Sequence, residues 1–304
     1  MAPSRRLGRS LGVDLVPHKT CSFDCIYCQL GRTTNLTVTL QPGLPVRELV
    51  AEVKEALAGG PRPDFLTLSG SGEPTLYEPL GELIASLGRV FRPLAVLTNG
   101  SLLGDPAVRS ALCGADVVLP SLDAPDEETF RYVNRPQRDL NLDGLISGMM
   151  LFRREFRGAL WLEIMLLGGV TATRTQGALL ARLATALEPE RVHLNTVVRP
   201  PAEPFTLVAA ENDLRQICEL FGPRAVIIAE PAVAPVAACS AVADEAVLDI
   251  LRRRPCTVGD LAVALGAASP AVVKVLENLL RTGEVRVLVR QRRVFYALGW
   301  SGLP

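Results

Sequence analysis

Two hydrophobic rhythms take turns along this chain. Short apolar runs bounded by turn residues give way to longer stretches with apolar positions three or four apart. The first rhythm predicts buried strands and the second amphipathic helices. Residues 12–16, 64–68, 94–97, 117–119, 159–167, 192–198 and 225–229 read as strands. Residues 46–57, 80–87, 106–112, 142–156, 174–187 and 214–221 read as the helices between them. Asp105 stands where an N-cap belongs, with Pro106 at the first helical position. Strands that alternate with helices build a parallel sheet. The pattern predicts an α/β fold, a partial (βα)6 TIM-type barrel over residues 1–230. In such barrels chemistry sits at the C-terminal ends of the strands.

From residue 231 the texture changes. Pro231-Ala-Val-Ala-Pro-Val-Ala-Ala238 suits neither helix nor strand, so residues 231–242 read as a linker. Beyond it, residues 244–253, 257–265 and 269–280 have helical spacing, with Ser269 as N-cap and Pro270 behind it. Residues 284–289 and 294–298 are β-like. Three helices and a two-stranded wing predict a winged helix-turn-helix domain over residues 243–304. The basic turn between the strands carries Arg290, Arg292 and Arg293, which suit phosphate contacts. The recognition helix expected over 270–280 offers Lys274 and little else polar to base edges. That poverty favours recognition of a substrate or partner over sequence-specific DNA reading.

Composition narrows the picture. Of 304 residues, 48% are hydrophobic, enough for a sizeable core. The 32 basic residues balance 32 acidic ones, so no global field draws the chain to a polyanion or an anionic membrane. No apolar stretch is long enough to span a bilayer, and no membrane partner is expected. Seven cysteines, an odd number in a chain of this length, do not suggest a secreted disulfide scaffold. A reducing cytoplasm is the expected compartment.

Three of those cysteines carry the chemistry. Cys21, Cys25 and Cys28 stand in a C-x3-C-x2-C run. Zinc sites want four protein ligands, commonly as two pairs, and Cys113, Cys218, Cys239 and Cys256 are scattered. Three soft ligands without a fourth point to an iron–sulfur cluster with one iron left open. Tyr27, just before the last cysteine, is placed to set a ring against a planar ligand. Gly70, Gly72 and Glu73 lie in Ser-Gly-Ser-Gly-Glu-Pro-Thr-Leu76 after the second predicted strand; the glycines let backbone approach a ligand and Glu73 suits an ammonium. Asn99 and Ser121 follow the next two strands, and Asp123 closes Ser121-Leu-Asp123. Glu163 falls inside the apolar run Leu160-Trp-Leu-Glu-Ile-Met-Leu166, where an unpaired carboxylate is costly, so it should face the barrel interior with a partner. Asn195 reads the same way, and Arg199 is placed to clamp a substrate anion. His18 and His193 are the only histidines and read as structural.

The cysteine run resembles the signature of radical S-adenosylmethionine enzymes, and the Gly70–Glu73 segment resembles the motif that binds the methionine amino group in them. The resemblance implies a [4Fe-4S] cluster on Cys21, Cys25 and Cys28. It implies S-adenosylmethionine contacts at Tyr27, Gly70, Gly72, Glu73, Asn99 and Ser121. It further implies reductive cleavage of S-adenosylmethionine, hydrogen abstraction from a substrate, and an electron donor such as flavodoxin or ferredoxin. Asp123, Glu163, Asn195 and Arg199 are then candidates for substrate or supporting roles. Within the superfamily, residues 5–205 are most similar to the wyosine-synthase-like iron–sulfur oxidoreductases, which implies a tRNA base as substrate. No cysteine precedes Cys21 here, whereas wyosine synthases hold a second cluster on upstream cysteines. A peptide-modifying radical enzyme and a cluster-based redox regulator acting through the winged domain are the other readings.

Overall fold

The computed structural model describes residues 2–229, 242–290 and 293–299. Eight strands form the main sheet in chain order: β1 (Ala2–Ser4), β2 (Gly8–Val13), β3 (Phe65–Leu68), β4 (Leu94–Thr98), β5 (Val117–Pro120), β6 (Ala159–Met165), β7 (Arg191–Asn195) and β8 (Ala225–Ile227). β1 runs antiparallel to β2, and the other seven are parallel. They curl into a half-barrel. The helices between them are α1 (Val46–Ala58), α2 (Leu80–Gly88), α3 (Pro106–Leu112), α4 (Glu127–Val133), α5 (Leu142–Glu155), α6 (Arg174–Leu187) and α7 (Glu211–Leu220).

The helices form for legible reasons. In α2, Leu80, Leu83, Ile84 and Leu87 recur at helical spacing and are all buried. Each such side chain contributes roughly 1.5–3 kcal/mol by leaving water. Asp105 caps α3 by accepting from the Ala107 amide at 2.8 Å, as expected. Strand residues alternate between faces: Leu66, Val96, Val118 and Ile164 meet the helices, while Phe65, Leu97, Leu119 and Trp161 fill the concave side.

The structure departs from expectation at several points, among them the strand expected at 225–229, which ends at Ile227. The strand expected at 12–16 is Gly8–Val13, displaced toward the edge where it pairs with β1. The strands expected at 159–167 and 192–198 end at Met165 and Asn195. There the chain leaves the sheet: the Leu166 amide donates to the Asn195 carbonyl, the Thr196 hydroxyl to the Leu166 carbonyl, and Leu167–Gly168 pairs with Leu207–Val208 instead. α4 has no counterpart in the sequence reading.

A second hydrophobic cluster belongs to α8 (Asp244–Arg253), α9 (Val258–Leu265), α10 (Ser269–Arg281) and the hairpin β9 (Val285–Arg290) and β10 (Arg293–Leu298). Thr257 and Asp260 close a reciprocal capping box at the start of α9. Ser269 is the first helical residue of α10 rather than its N-cap; the cap is Ala268, which offers no side-chain acceptor. Most of the expected linker, and Arg292, lie outside the described residues. Among the described residues no helix is long and apolar enough to cross a membrane.

Candidate functional site

The cysteine loop is hung from α4. The Asp24 amide donates to the Asn134 carbonyl at 3.0 Å and the Ile26 amide to the Val133 carbonyl at 2.9 Å. Phe23 packs edge-on against Phe130 of that helix, centroids 5.3 Å apart. Glu203 locks the far side: its amide donates to the Ile26 carbonyl at 2.9 Å, and its carboxylate takes Arg32 at 2.7 Å and Arg135 at 2.5 Å. The loop that carries the three thiols is thereby fixed on both flanks.

Each thiol has one N–H donor of its own. Asn99 Nδ2 lies 3.6 Å from Cys21 Sγ, Asn134 Nδ2 lies 3.6 Å from Cys25 Sγ, and Lys19 Nζ lies 3.3 Å from Cys28 Sγ. Among the described residues no three His, Cys, Asp or Glu side chains converge on a single metal ion. A cubane cluster asks for something else, one thiolate per iron. Three separate thiols, each already facing a donor that favours a sulfur carrying negative charge, fit that demand. Burial, reinforced by the charge of Glu73, pushes Cys21 up to about 12, and burial pushes Cys25 well up as well. Both stay protonated until a metal takes the proton's place.

The Gly70–Glu73 turn follows β3 and presses on the approach to the cysteine loop. Gly70 has φ +129°, and a Cβ there would stand 1.5 Å from Asp14 Oδ1. A Cβ on Gly72 would stand 2.0 Å from the Thr20 carbonyl oxygen. Asp14 accepts from the Ser71 amide at 2.7 Å, and the Thr20 carbonyl from the Glu73 amide at 3.0 Å. Glycine is required here by the chain's own contacts.

Glu73 is almost fully buried and receives four donors. Its Oε1 accepts from the Thr75 amide at 3.0 Å and from the Thr75 and Thr98 hydroxyls at 2.6 Å each; its Oε2 accepts from the Asn99 amide at 2.7 Å. Burial outweighs those bonds and raises its carboxyl above the usual range. Glu73 thus braces the end of β4, and Asn99 passes the brace on by donating to Ser22 Oγ at 2.8 Å. Ser121 bridges to Glu163 through the backbone.

Tyr27 is committed to Asp123. Its hydroxyl donates to Asp123 Oδ2, which also accepts from Asn134 Nδ2 at 2.9 Å, while Oδ1 accepts from the Met165 amide at 2.8 Å. Burial brings Asp123 up to about 6. Asn134 Oδ1 is buried and has no partner. A lone acceptor at the edge of the thiol loop suits a donor on a bound molecule.

Glu163 faces the barrel interior with a partner, as expected. Arg6 forks onto both of its oxygens, and Asn195 Nδ2 donates to Oε1 at 3.0 Å. Although burial works against it, the Arg6 charge keeps Glu163 below its usual range. Arg5 reaches across to Asn195 Oδ1 at 3.0 Å and to the carbonyls of Ile228 and Ala229 at 3.1 and 3.3 Å. One hairpin turn therefore ties β2 to the ends of β6, β7 and β8. Arg199 donates to Gln29 Oε1 at 3.4 Å and lies 3.6 Å from Asp260 at the start of α9; Arg253 lies 3.8 Å from Asp14. The C-terminal unit thus touches the loops that follow β2 and β7.

The structure brings together Cys21, Cys25, Cys28, Tyr27, Glu73, Asn99 and Asp123 in one bonded network, and Glu163 with Asn195 in another. Lys19, Asn134, Arg5 and Arg6 escaped the sequence reading as site residues. Asn134 had a findable signal: Asp126 is an N-cap before Phe130 and Val133, the buried face of a short helix ending beside it. The arginines had none, since their partners lie 157 or more residues away.

Comparison with known proteins agrees with this geometry. The family model for the radical SAM superfamily matches residues 15–179. A Methanocaldococcus jannaschii UPF0026 protein is 38% identical over 221 residues, covering 72% of this chain and 69% of that protein. A Brachyspira hyodysenteriae protein named GTPase Obg is 34% identical over 299 residues, 97% of this chain but 44% of its own length. The chain spans less than half of that relative, and none of its three lysines follows a glycine, as a GTPase phosphate loop requires. Among solved structures, a radical SAM methyltransferase from Sphaerobacter thermophilus has a similar fold, with TM-score 0.57 and 20% identity over 72% of this chain and 65% of that one. TYW1 with a bound lysine–pyruvate adduct gives TM-score 0.50 and 18% identity over 71% and 74%.

Proposed function

The chain belongs to the radical SAM superfamily, and on that premise we propose that it uses a [4Fe-4S] cluster and S-adenosylmethionine to start radical chemistry on an RNA base. The observation that carries the reading is the trio of thiols, each with its own N–H donor, walled by the ends of β3, β4 and β5. When bound, the cluster supplies the electron that splits a carbon–sulfur bond of S-adenosylmethionine.

The protein's own residues do the rest. Cys21, Cys25 and Cys28 would hold the cluster, beside the site where S-adenosylmethionine would bind. Gly70 and Gly72 keep the backbone after β3 flush against the loop. Glu73 fixes Asn99 and the turn, and its Oε2, which accepts from the Asn99 amide, keeps an acceptor site for the methionine ammonium. Tyr27 and Asp123 anchor the loop to the end of β5. Asn134 Oδ1 and Ser121 offer polar contacts to the nucleoside. Arg199, at the mouth, takes an anionic group of the substrate.

The C-terminal unit, three helices and a hairpin, supports a winged helix-turn-helix assignment. Its Arg290 and Arg293 are exposed at the hairpin turn, suited to the backbone of a nucleic acid. A low-potential donor such as flavodoxin or ferredoxin would deliver the electron. The test is anaerobic reconstitution with iron and sulfide, reduction by dithionite, and incubation with S-adenosylmethionine and bulk tRNA. The expected products are 5′-deoxyadenosine and a new nucleoside by mass spectrometry. 5′-Deoxyadenosine without a nucleoside change removes RNA as substrate, and a colourless protein after reconstitution removes the whole reading.

A further inference from the structure

Two carboxylate–arginine crossings of opposite sense join the C-terminal unit to the half-barrel. Asp14, just past the end of β2, receives Arg253, the last residue of α8, at 3.8 Å. Asp260, in the first turn of α9, receives Arg199 from the loop after β7 at 3.6 Å. The half-barrel supplies the acid in the first crossing and the base in the second. α9 also packs against β1. A unit rotated by half a turn would set Asp260 toward Asp14 and Arg253 toward Arg199, like charge against like. The two crossings therefore favour one orientation of docking.

Each carboxylate has a second duty. Asp14 Oδ2 faces Arg253, while its Oδ1 accepts from the Ser71 amide at 2.7 Å. The Ser71 carbonyl accepts from the Lys19 amide at 2.6 Å, so that turn is tied to the approach to Cys21. Asp260 Oδ1 faces Arg199, while its Oδ2 accepts from the Thr257 amide and hydroxyl at 3.0 Å each and so starts α9. Arg199 turns Nη2 toward Asp260 and donates from Nη1 to Gln29 Oε1 at 3.4 Å, on the residue after Cys28. One crossing thus ends on the Gly70–Glu73 turn and the other on the thiol loop. Arg199 and Asp260 are 11% and 16% exposed, so water screens that pair little. Arg253 is 62% exposed, and its crossing is worth correspondingly less.

We propose that the C-terminal unit is a positioning element for the S-adenosylmethionine site, with Arg253 acting on the Gly70–Glu73 turn through Asp14 and Asp260 acting on the thiol loop through Arg199. The proposal rests on the reading of that turn and loop as the S-adenosylmethionine site and deepens it. Arg253 and Asp260 are positioning residues: each reaches the site through one intervening side chain. The coupling runs both ways, because whatever docking adds to ligand affinity the ligand adds to docking. A molecule that shifts the C-terminal unit therefore alters the site without touching it.

The test uses the full chain throughout. In the metal-free protein, hydrogen exchange at the Ser71 amide, read by nuclear magnetic resonance, is expected to speed up about two- to fivefold in Arg253→Gln. In the reconstituted protein, S-adenosylhomocysteine, which has no sulfonium to cleave, is titrated calorimetrically. Arg253→Gln and Asp260→Asn, which keeps an oxygen for the cap, each weaken its binding about two- to fivefold. Arg252→Gln, one residue away but paired within its own helix to Glu245 and Asp249, changes neither readout. In the wild type the ligand also slows exchange along α9, and both variants lose that protection; a merely structural defect would speed α9 exchange with or without ligand. Unchanged affinity in one variant removes its crossing, and unchanged affinity in both overturns the proposal, as does wild-type α9 exchange that ignores the ligand. Should Asp260→Asn fail to fold, Arg253→Gln, at its exposed position, decides alone. Faster Ser71 exchange without any S-adenosylhomocysteine binding leaves the Asp14 crossing standing and removes the reading of the site. Binding that ignores both variants does the opposite.

Discussion

Arg6 and Glu163 are 157 residues apart in sequence and locked together across the half-barrel, each carboxylate oxygen held by one nitrogen of the guanidinium. Removing one partner strands the other as a buried charge. Arg6→Leu is expected to cost about 3–5 kcal/mol in urea unfolding. Adding Glu163→Gln to that variant restores part of the loss, because the charge left behind is gone. If Arg6→Leu unfolds at the wild-type midpoint, the pair is not what holds the hairpin.

The three thiols are expected to be equivalent in need and distinct from the rest. Alanine at Cys21, Cys25 or Cys28 abolishes iron uptake and 5′-deoxyadenosine formation while the far-ultraviolet circular dichroism stays native. Cys113→Ala, at an exposed position beyond α3, keeps both. Full iron content in any of the three variants would show that its sulfur is not a ligand.

Lys19 gives Cys28 a charged donor at 3.3 Å while nearly buried itself. Hydrogen bonds and positive charge at a cluster sulfur stabilise the reduced, more negative state. Lys19→Met is therefore expected to lower the midpoint potential of the reconstituted cluster in an EPR-monitored titration, and Lys19→Arg to recover most of it. An unmoved midpoint in Lys19→Met would place the ammonium elsewhere in the loaded protein.

Gly72→Ala sets a methyl 2.0 Å from a backbone oxygen of the segment that leads into Cys21. Backbone cannot swing aside as a side chain does. The expected cost is about 1–3 kcal/mol, together with weaker S-adenosylmethionine binding by calorimetry on the reconstituted protein. Undiminished affinity would mean the turn can move without disturbing the ligand.

His193 stacks its edge on Trp161 in the barrel interior, with Nδ1 buried and unpartnered. Burial lowers it to about 4. The unfolded chain takes up a proton near pH 6.5 and the folded one only near pH 4, so stability falls as pH drops through that window. The full loss is on the order of 3 kcal/mol. His193→Gln should flatten the stability profile between pH 6.5 and 4; an unchanged slope would assign the acid sensitivity to another group.

Much of the architecture is legible in the sequence, for a physical reason. Apolar period and turn chemistry are local, so α2, α3 and the strand at Leu94–Thr98 stand close to where the pattern predicts. The cysteine spacing is local too. What escapes is long-range. Nothing near Glu163 announces Arg6, and nothing near Asn195 announces Arg5. For Glu73 the sequence shows the carboxylate but not its neighbours: Thr75 and Thr98 hold its Oε1, and the Asn99 amide its Oε2. Ser269 looked like a cap because Pro270 follows it, but the helix begins one residue earlier than that pairing implies.

The hairpin arginines also carry a message about the order of assembly. Arg5 bonds to partners 190 to 224 residues further along the chain. Contacts of such separation form late, after the loops between them have been closed. Until the chain beyond β8 is in place, the Arg5 guanidinium has Asn195 but lacks the Ile228 and Ala229 carbonyls. A nascent or truncated chain that stops short of Ile228 would leave that latch undone, however well its first strands had already paired.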